Sequence, residues 1–334
     1  MAISLGRHQT IGIGRQGTRG TGDTANYWLR KTAWSENPVE QQIFDESAAG
    51  TNSATRGVGV DRLHAEPSVS GYIDINSFGL IEYANGDTYG SPSEVESGVY
   101  DHEIKVGTTT YADKFLTLNI DDAKTDGDLD FIDAIINTLN MPLNIGQRAM
   151  FDASFVSRYR ASGTNTAAFV TPQYFYSKNI TVKFASSVAN FDTAASVYSA
   201  SLNRSNNVNS DETAFVYDGT QNISNHHMTE RSAELTFSQL ATGLTYKDYA
   251  KDGDVIACQI VISDPSTTIG AASNPTLTYT FPTCSVKVAR NEENGQLRKE
   301  DLTLTAHEGL DDDESATYLY KVEIRNTVAD YSSI

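Results

Sequence analysis

The sequence has little cysteine, no long apolar run and no apolar leader of the kind that begins a secreted protein. Its two cysteines, Cys258 and Cys284, are too few for a disulfide framework in 334 residues, so free thiols are expected. No run approaches the ~20 apolar residues that a membrane helix needs. We therefore expect a protein that is synthesised in a cytoplasm and has no membrane anchor.

Basic residues are also scarce, and they are unevenly placed. Lysine and arginine number 25 against 43 aspartates and glutamates, which gives a formal charge of −18. Residues 1–35 hold five basic residues and one aspartate, so this segment carries +4 and the remainder carries −22. A body this acidic repels phosphate backbones, which argues against a conventional nucleic-acid-binding protein.

What the sequence does have is period-two alternation, most clearly in residues 135–159. This stretch reads IINTLNMPLNIGQRAMFDASFVSRY, with mostly apolar residues at every second position on both sides of a turn that contains Gly146. Such alternation predicts a β-hairpin with one apolar and one polar face. At about 3.3 Å per residue, each arm reaches roughly 35 Å. A hairpin of this length suits a barrel wall or a ring.

A second stretch of the same kind, residues 277–306, echoes the first. Cys284 stands 143 residues after Met141 in the matching alternation. Upstream, SVSGYIDINSFGL at 68–80 and SAELTFSQLATGL at 232–244 place Gly-Leu at the same point, with an offset of 164. Landmarks repeated in one order predict a duplicated β unit. The alternative is that any all-β chain repeats strand, turn and strand at such spacings.

We expect an all-β fold with at most one or two short helices, one of them at Asp130–Ile136, and two tandem units of β-sandwich or half-barrel type. Residues 68–80 are expected to be a strand. The N-terminal segment is rich in Gly, Thr, Arg and Ser, so we expect it to be extended and ordered only against a neighbour. The predicted parts are an arm (1–56), a first unit (57–162) with an inserted loop or hairpin at about 89–110, a linker (163–181) and a second unit (182–334).

Motifs that carry chemistry are weak in this chain. Gly12, Gly14 and Gly17 fit GxGxxG by letter, but no hydrophobic strand precedes them and no helix is indicated after them, so a nucleotide fingerprint is not predicted. Residues 122–133 resemble a calcium loop, but Lys124 stands where a ligand is needed. A solvated acidic turn is the favoured interpretation, and calcium binding is the alternative.

The histidines give no stronger signal. His226 and His227 lie near Glu230, but adjacent residues of a strand point to opposite faces, so joint metal ligation is not expected. No histidine has a spacing to Ser, Cys or Asp that indicates a catalytic triad. We expect no enzyme activity, no cofactor and no metal site.

Four stretches together carry a family resemblance. They are IGIGRQGTRGT (11–21), SGYIDINSFGL (70–80), the block from FLTLNIDD (115–122) to INTLNMPLNIG (136–146), and VYSASLNRSNN (197–207). In pattern they resemble the tail tube proteins of long-tailed, siphophage-like bacteriophages. The resemblance implies a structural virion protein with a β-sandwich or half-barrel domain and a flanking helix. Its long hairpins join those of ring neighbours in one β-barrel, and stacked rings form the conduit for genome ejection.

The resemblance also implies partners. These are further copies of the same chain, other tail proteins, and DNA that passes through without specific binding. Relatives with one tube domain form hexamers, whereas this chain is expected to hold two such domains. Three chains are therefore expected to close a ring as a pseudo-hexamer, and six chains are the alternative.

Two sets of residues are candidates for this role. The polar faces of the two long hairpins are expected to line the lumen, and the arginines and tryptophans of the arm are expected to contact the next ring. The lumen candidates are Asn140, Asn144, Asp152, Ser154, Lys287, Asp301, Thr303 and Thr305. The inter-ring candidates are Arg15, Arg19, Trp28, Arg30 and Trp34.

Two other classes of protein stay open at this point. One is a secreted or surface β-sandwich module that binds glycans or acts as an adhesin, which 17 tyrosines and acidic loops would suit. The other is a β-rich enzyme, such as a glycosidase with paired carboxylates, although no pair stands out among the 43 acidic residues. Rings or tubes in electron micrographs, against compact monomers, would discriminate the tube protein from both.

Overall fold

The computed structural model describes residues 8–46, 55, 57–108, 113–122, 127–191, 194–216, 219–241, 245–291, 297–311 and 316–334. Within these ranges the chain forms 22 β-strands, two α-helices and three short 3-10 turns. The predicted all-β class is therefore confirmed. Each listed strand pairing is antiparallel, which suits strands that have one buried and one wetter face.

The first half of the chain contributes thirteen strands and one helix to the described fold. They are β1 (Gln9–Arg15), β2 (Tyr27–Leu29), β3 (Lys31–Ser35), β4 (Pro38–Asp45), β5 (Gly57–Ala65), β6 (Ser68–Tyr72), α1 (Ile75–Asn85), β7 (Thr88–Tyr89), β8 (Ser93–Glu96), β9 (Val99–Val106), β10 (Leu116–Asp122), β11 (Leu129–Asn144), β12 (Met150–Val156) and β13 (Ala161–Ser162).

The second half contributes nine strands, one helix and the 3-10 turns. They are β14 (Ile180–Ala185), β15 (Val197–Ser205), β16 (Ser232–Leu240), α2 (Thr245–Asp252), β17 (Val255–Ser263), β18 (Thr276–Asn291), β19 (Lys299–His307), β20 (Gly309–Leu310), β21 (Thr317–Tyr318) and β22 (Tyr320–Asn326), with turns at Ser177–Asn179, Val188–Asn190 and Glu212–Ala214.

Eight strand segments form one antiparallel sheet, which we call the inner sheet. Its order is β3–β6–β12–β11–β15–β16–β19–β18. Both predicted long hairpins are confirmed within it, as β11–β12 and β18–β19. The two halves of the chain join at the ladder between β11 and β15, which runs from Thr138↔Ser205 to Asn144↔Ser199. The inner sheet therefore continues across both halves.

The two longest strands each serve two sheets. β11 and β18 both have 16 residues, so each spans roughly 50 Å. The first part of β11 pairs with β10, and its later part pairs with β12 and β15. In the same way, the first part of β18 pairs with β17 and β22, and its later part pairs with β19. Each long strand thus links the inner sheet to an outer one.

The halves repeat one order of pairing. The ladder β1–β10–β11–β12–β6–β3 in the first half matches β14–β17–β18–β19–β16–β15 in the second. Two bulges recur at matching places: one between Leu116 and Leu118 and between Ile256 and Cys258, the other at the start of β3 and of β15. Shared order and shared bulges support the predicted duplication.

The sequence echo at 143 residues, however, does not match the ladders. The recurring bulge pairs Leu116 with Ile256, an offset of 140, and their cross-strand partners are Ala134 and Cys284, an offset of 150. The reason is that the connection from β17 to β18 is longer than that from β10 to β11. Alternating strands tolerate such a shift without changing which residues look repeated.

The predicted strand at residues 70–80 is wrong beyond Tyr72, because α1 begins at Ile75. Asp74 caps this helix, its carboxylate accepting hydrogen bonds from the backbone nitrogens of Asn76 at 3.1 Å and Ser77 at 3.2 Å. Every residue of α1 except Asn76 is buried. A helix that is buried all round has no amphipathic pattern, so periodicity cannot separate it from a strand.

The expected short helix at Asp130–Ile136 is also wrong, since these residues lie in β11. Asp133 has a left-handed backbone φ of 58° and a fully buried side chain, which interrupts the alternation at this point. Its carboxylate accepts a hydrogen bond from Arg158 Nε at 2.6 Å. The acidic residues that suggested a helix start are thus part of a buried ion pair.

The predicted arm is wrong for residues 9–35, which belong to the fold. β1 pairs with β10 along its whole length, and Ile11 and Ile13 are fully buried. Gly12 and Gly14 alternate with them because a Cβ at either position would overlap the chain near Thr24 and Ala25. Low overall hydrophobicity hid two core isoleucines. Residues 1–7, 47–54 and 56 lie outside the described residues.

The segment at 89–110, predicted as an insertion, contributes a strand to the body of the protein. β9 pairs with β22 from Val106↔Tyr320 to Tyr100↔Asn326, so the first half supplies a strand to the outer sheet of the second. The two halves therefore interlock, and the boundaries of two separate units stay a prediction. The linker region runs from β13 to β14, which begins at Ile180.

Candidate functional site

One face of the inner sheet is polar from edge to edge. A single row across it joins residues of seven strands through cross-strand pairs. In order, these are Ser70, Asp152, Asn140, Asn203, Glu234, Thr305 and Ser285. Small polar side chains on successive strands give a hydrated surface that stays shallow, because strand alternation sends every apolar neighbour to the other face.

Hydrogen bonds between neighbouring strands organise this polar face. The hydroxyls of Thr138 and Ser154 lie 2.7 Å apart, and the hydroxyl of Ser238 donates to Asp301 at 2.6 Å. Each of these side chains spends a hydrogen-bonding group on its neighbour across the ladder. The face is therefore held in place by the protein before anything approaches it.

The polar face is nearly neutral. Among the described residues of the inner sheet, alternation and register place three acidic and two basic side chains on it. They are Asp152, Glu234, Asp301, Lys287 and Lys299. Such a surface neutralises few phosphates, so it offers DNA little of the counterion release that drives non-specific binding.

All eight lumen candidates lie on this face. They are Asn140, Asn144, Asp152, Ser154, Lys287, Asp301, Thr303 and Thr305, each intermediate or exposed. Sequence reasoning grouped them within each hairpin, and the structure adds that both groups share one continuous surface. That this surface lines a lumen stays a prediction. The reasoning missed the polar residues of β15 and β16, although VYSASLNRS alternates as clearly as the long hairpins do.

The opposite face packs on the core and holds one buried charge network. Nη1 of Arg204 donates to both carboxylate oxygens of Glu82 at 2.8 Å, and the hydroxyl of Tyr279 donates to the same carboxylate at 2.6 Å. Glu82 belongs to α1, Arg204 to β15 and Tyr279 to β18. Burial lowers the pKa of Arg204, but the carboxylate and the nearby tyrosines outweigh it, so the net direction is upward. The network ties the two halves together behind the inner sheet.

The inner sheet ends in two open edges. Among the described strands, β3 pairs only with β6, and β18 beyond Ser285 pairs only with β19. Open edges present backbone groups that can pair with another strand. These edges lie at opposite ends of one sheet, so a second copy can approach each of them.

The middle of the sheet contains a junction of the kind that two such edges would form. There β11 pairs with β15, and β15 pairs with β16. In the repeat, β18 corresponds to β11 and β3 corresponds to β15, because each holds the same place in its ladder. The edge of β18 thus matches a strand that is already paired on both sides inside the chain, and so does the edge of β3.

The inter-ring candidates lie closer to the body than expected. Arg19 donates to the carbonyl of His226 at 3.0 Å and stacks on the ring of Phe115. Trp34 packs edge-on against Phe131. Arg15 and Trp28 are half-buried as well, and Arg30 is exposed, with its guanidinium over the ring of Phe169. Of the five, Arg30 has the most accessible position, and their contact with another ring stays a prediction.

The outward-reaching part of the N-terminal region is instead the β4–β5 ribbon. β4 and β5 form a separate two-stranded sheet, paired from Pro38↔Ala65 to Asp45↔Gly57. Three large apolar side chains on it, Ile43, Phe44 and Val58, are 52 to 62% exposed. An isolated ribbon with exposed apolar groups is typical of an element that is completed by a partner.

Other candidate chemistry dissolves into structural contacts. Nε2 of buried His226 donates to the carbonyl of Asp133 at 2.6 Å, and burial lowers the pKa of His226 to about 4. His227 instead contacts Asp113, so the adjacent histidines have different partners. Asp128 accepts from the backbone nitrogen of Asp122 at 3.2 Å, and residues 123–126 of the calcium-loop match lie outside the described residues.

Searches for a metal site and a membrane span give no candidate in the described part of the chain. No three His, Cys, Asp or Glu side chains there cluster closely enough to hold a metal ion. None of the helices in these ranges is long and apolar enough to cross a membrane. Cys258 and Cys284 are both free and buried.

Comparison with known proteins adds no family assignment. No model of a known protein family matches the sequence, and no curated protein matches it significantly. The function is therefore argued from the polar face, the two edges and the repeat.

Proposed function

We propose that this chain is the ring-forming subunit of a bacteriophage tail tube. Three chains close each ring, and stacked rings form the conduit through which the genome leaves the particle. The observation that carries the proposal is the continuous inner sheet, with its polar face, its two open edges and an internal junction that the edges can repeat.

Ring closure follows from the repeat. The edge of β18 in one chain pairs with β3 of the next, as β11 pairs with β15 inside each chain. Closed rings need head-to-tail contacts that return to the start, and a chain with two matched units makes every second contact internally. Three chains with two units each give the ring that six single-unit chains would give.

The polar face suits the lumen of such a ring. A surface of Ser, Thr and Asn with almost balanced charge holds water and binds few phosphates, so DNA slides past it. The apolar face and the α1 helix then lie on the outside of the barrel wall. Closure also removes the two sheet edges that would otherwise promote uncontrolled aggregation.

A proline at the edge of β3 tests this proposal. Thr32 is the bulged residue of β3, between the pairs Lys31↔Gly71 and Ala33↔Ser70, and it is exposed. Proline is tolerated at bulges but blocks an incoming strand. We expect Thr32→Pro to stay folded by circular dichroism and to form no rings in negative-stain micrographs, whereas the matched control Thr32→Ala forms them. Normal rings from Thr32→Pro, or compact monomers from the unmodified protein at every concentration, would contradict the proposal.

A further inference from the structure

Two excursions leave the inner sheet at matching places in the repeat. One is the β4–β5 ribbon, between β3 and β6, and the other is the segment 208–228, between β15 and β16. Each opens with an asparagine in the left-handed conformation, Asn37 and Asn207, both with a φ of 44°. The next residue then pairs across the excursion, as Pro38↔Ala65 and as Val208↔Met228. They are corresponding elements with different surroundings.

The segment 208–228 is packed against the first half of its own chain. Its Val208, Ala214, Ile223 and Met228 are buried, and they form a cluster with Ile135 of β11 and Val156 of β12. At its far side, the backbone nitrogen of Leu63 donates to the carbonyl of Gln221 at 2.7 Å. The segment therefore covers the ends of β11 and β12 and reaches the lead-in to β6.

The β4–β5 ribbon has no such cover in its own chain. Phe44 lies six residues after Pro38, just as buried Ala214 lies six residues after Val208, yet Phe44 is 52% exposed. The larger side chain stands at the place where its counterpart is packed away. The ribbon thus carries apolar surface at the position where the repeat requires a contact.

The corresponding ground in the second half is open. At the ends of β16 and β19 lies a cleft of about 450 Å³. Its floor includes the apolar side chains of Met228, Ala306 and Leu319, and its rim includes Arg231 and His307. These strand ends match the lead-in to β6 and the end of β12, which the segment 208–228 covers in the first half.

We propose that this cleft receives the Phe44 end of the β4–β5 ribbon from the adjacent chain of the same ring. The inference rests on the proposed function, because pairing of β18 with the next chain's β3 brings the base of the ribbon beside the second half. The contact repeats between chains what the segment 208–228 does within one. The partner of the cleft is therefore a second copy of this chain, in the same ring and not in the next one.

A pair of cysteines tests the contact directly. Phe44→Cys combined with His307→Cys places one thiol on the ribbon and one on the exposed rim of the cleft. The native cysteines are buried, so they do not compete for oxidation. In isolated single rings, oxidation is expected to convert the chains into covalent dimers and trimers on denaturing gels. The control pair, Val170→Cys with His307→Cys, uses an exposed apolar position off the ribbon and is expected to stay monomeric.

An assembly measurement supports the cross-link. Phe44→Asp is expected to raise the protein concentration needed for ring formation at least about tenfold, since a central aromatic anchor carries a large share of interface energy. Val170→Asp, the matched control, is expected to change it little. Rings that form normally without cross-linking, or cross-links that appear only in stacked tubes, would overturn the proposed contact alone. A protein that forms no rings under any condition would overturn the proposed function with it.

Discussion

Replacing Arg204 with methionine is expected to weaken the attachment of the two halves to each other. Arg204 donates from Nη1 to both oxygens of Glu82 at 2.8 Å and from Nε to the carbonyl of Leu139 at 3.2 Å. The side chains of Arg204 and Glu82 are 1% and 0% exposed. Methionine fills much of the same volume but leaves the carboxylate buried with Tyr279 as its remaining donor among these groups.

The expected loss in free energy of unfolding is about 3–5 kcal/mol, the usual cost of removing one partner from a buried ion pair. Removing both partners should cost much less, because no uncompensated charge is then left inside. The double variant Arg204→Met, Glu82→Met is therefore expected to recover most of the loss. Arg325→Met is the control, since the pair of Arg325 with Asp101 is about 40% exposed and should contribute at most about 1 kcal/mol.

Urea unfolding of the unassembled protein, followed by tryptophan fluorescence, measures these differences. The account predicts a large loss for Arg204→Met, a partial recovery in the double variant and a small loss for Arg325→Met. If Arg204→Met costs no more than Arg325→Met, or if the double variant is as unstable as the losses of both single variants added together, the network does not hold the halves together.

Three further predictions concern the polar face, a buried histidine and the N-terminal strands. Asp152→Lys with Asp301→Lys adds positive charge to the proposed lumen, so particles that carry it should release DNA more slowly at low salt, whereas the Asn pair at the same positions should release it normally; lost rings with unchanged DNA release would refute the face assignment. Burial lowers the pKa of His226 to about 4, so between pH about 6.5 and 4 only the unfolded chain takes up the proton; unfolding free energy should fall with pH by up to about 3 kcal/mol, and His226→Gln should flatten that slope. Deleting residues 1–35 removes β1, β2 and β3, including fully buried Ile11 and Ile13, and should abolish cooperative unfolding; a folded truncation would contradict the placement of β1.

Local alternation predicted the parts of the fold that depend on period two. Both long hairpins and the eight polar residues on their shared face followed from apolar residues at every second position, because a strand leaves no other choice of face. The same reasoning failed at Ile75–Asn85, where burial on all sides removes the pattern that marks a helix.

Other features depend on pairing between distant residues, which no local pattern reports. The N-terminal strand was missed because IGIG places two core isoleucines among glycines, and only the approach of residues near Ala25 explains those glycines. The order of the inner sheet places Ser199 beside Asn144, and the contact of Arg204 with Glu82 spans 122 residues. The letter-by-letter echo at 143 residues was likewise displaced by loops of unequal length.

The most direct test of the central claim is the rotational symmetry and mass of the assembled ring. Three chains with eight inner strands each, tilted as in other barrels, give a wall about 45–50 Å across at the backbone. Native mass spectrometry of a solubilised ring, together with cross-sections of tubes in electron micrographs, is expected to show three chains and threefold density around such a wall. Six equivalent chains around a wall about twice as wide, or a protein that stays monomeric, would contradict the account.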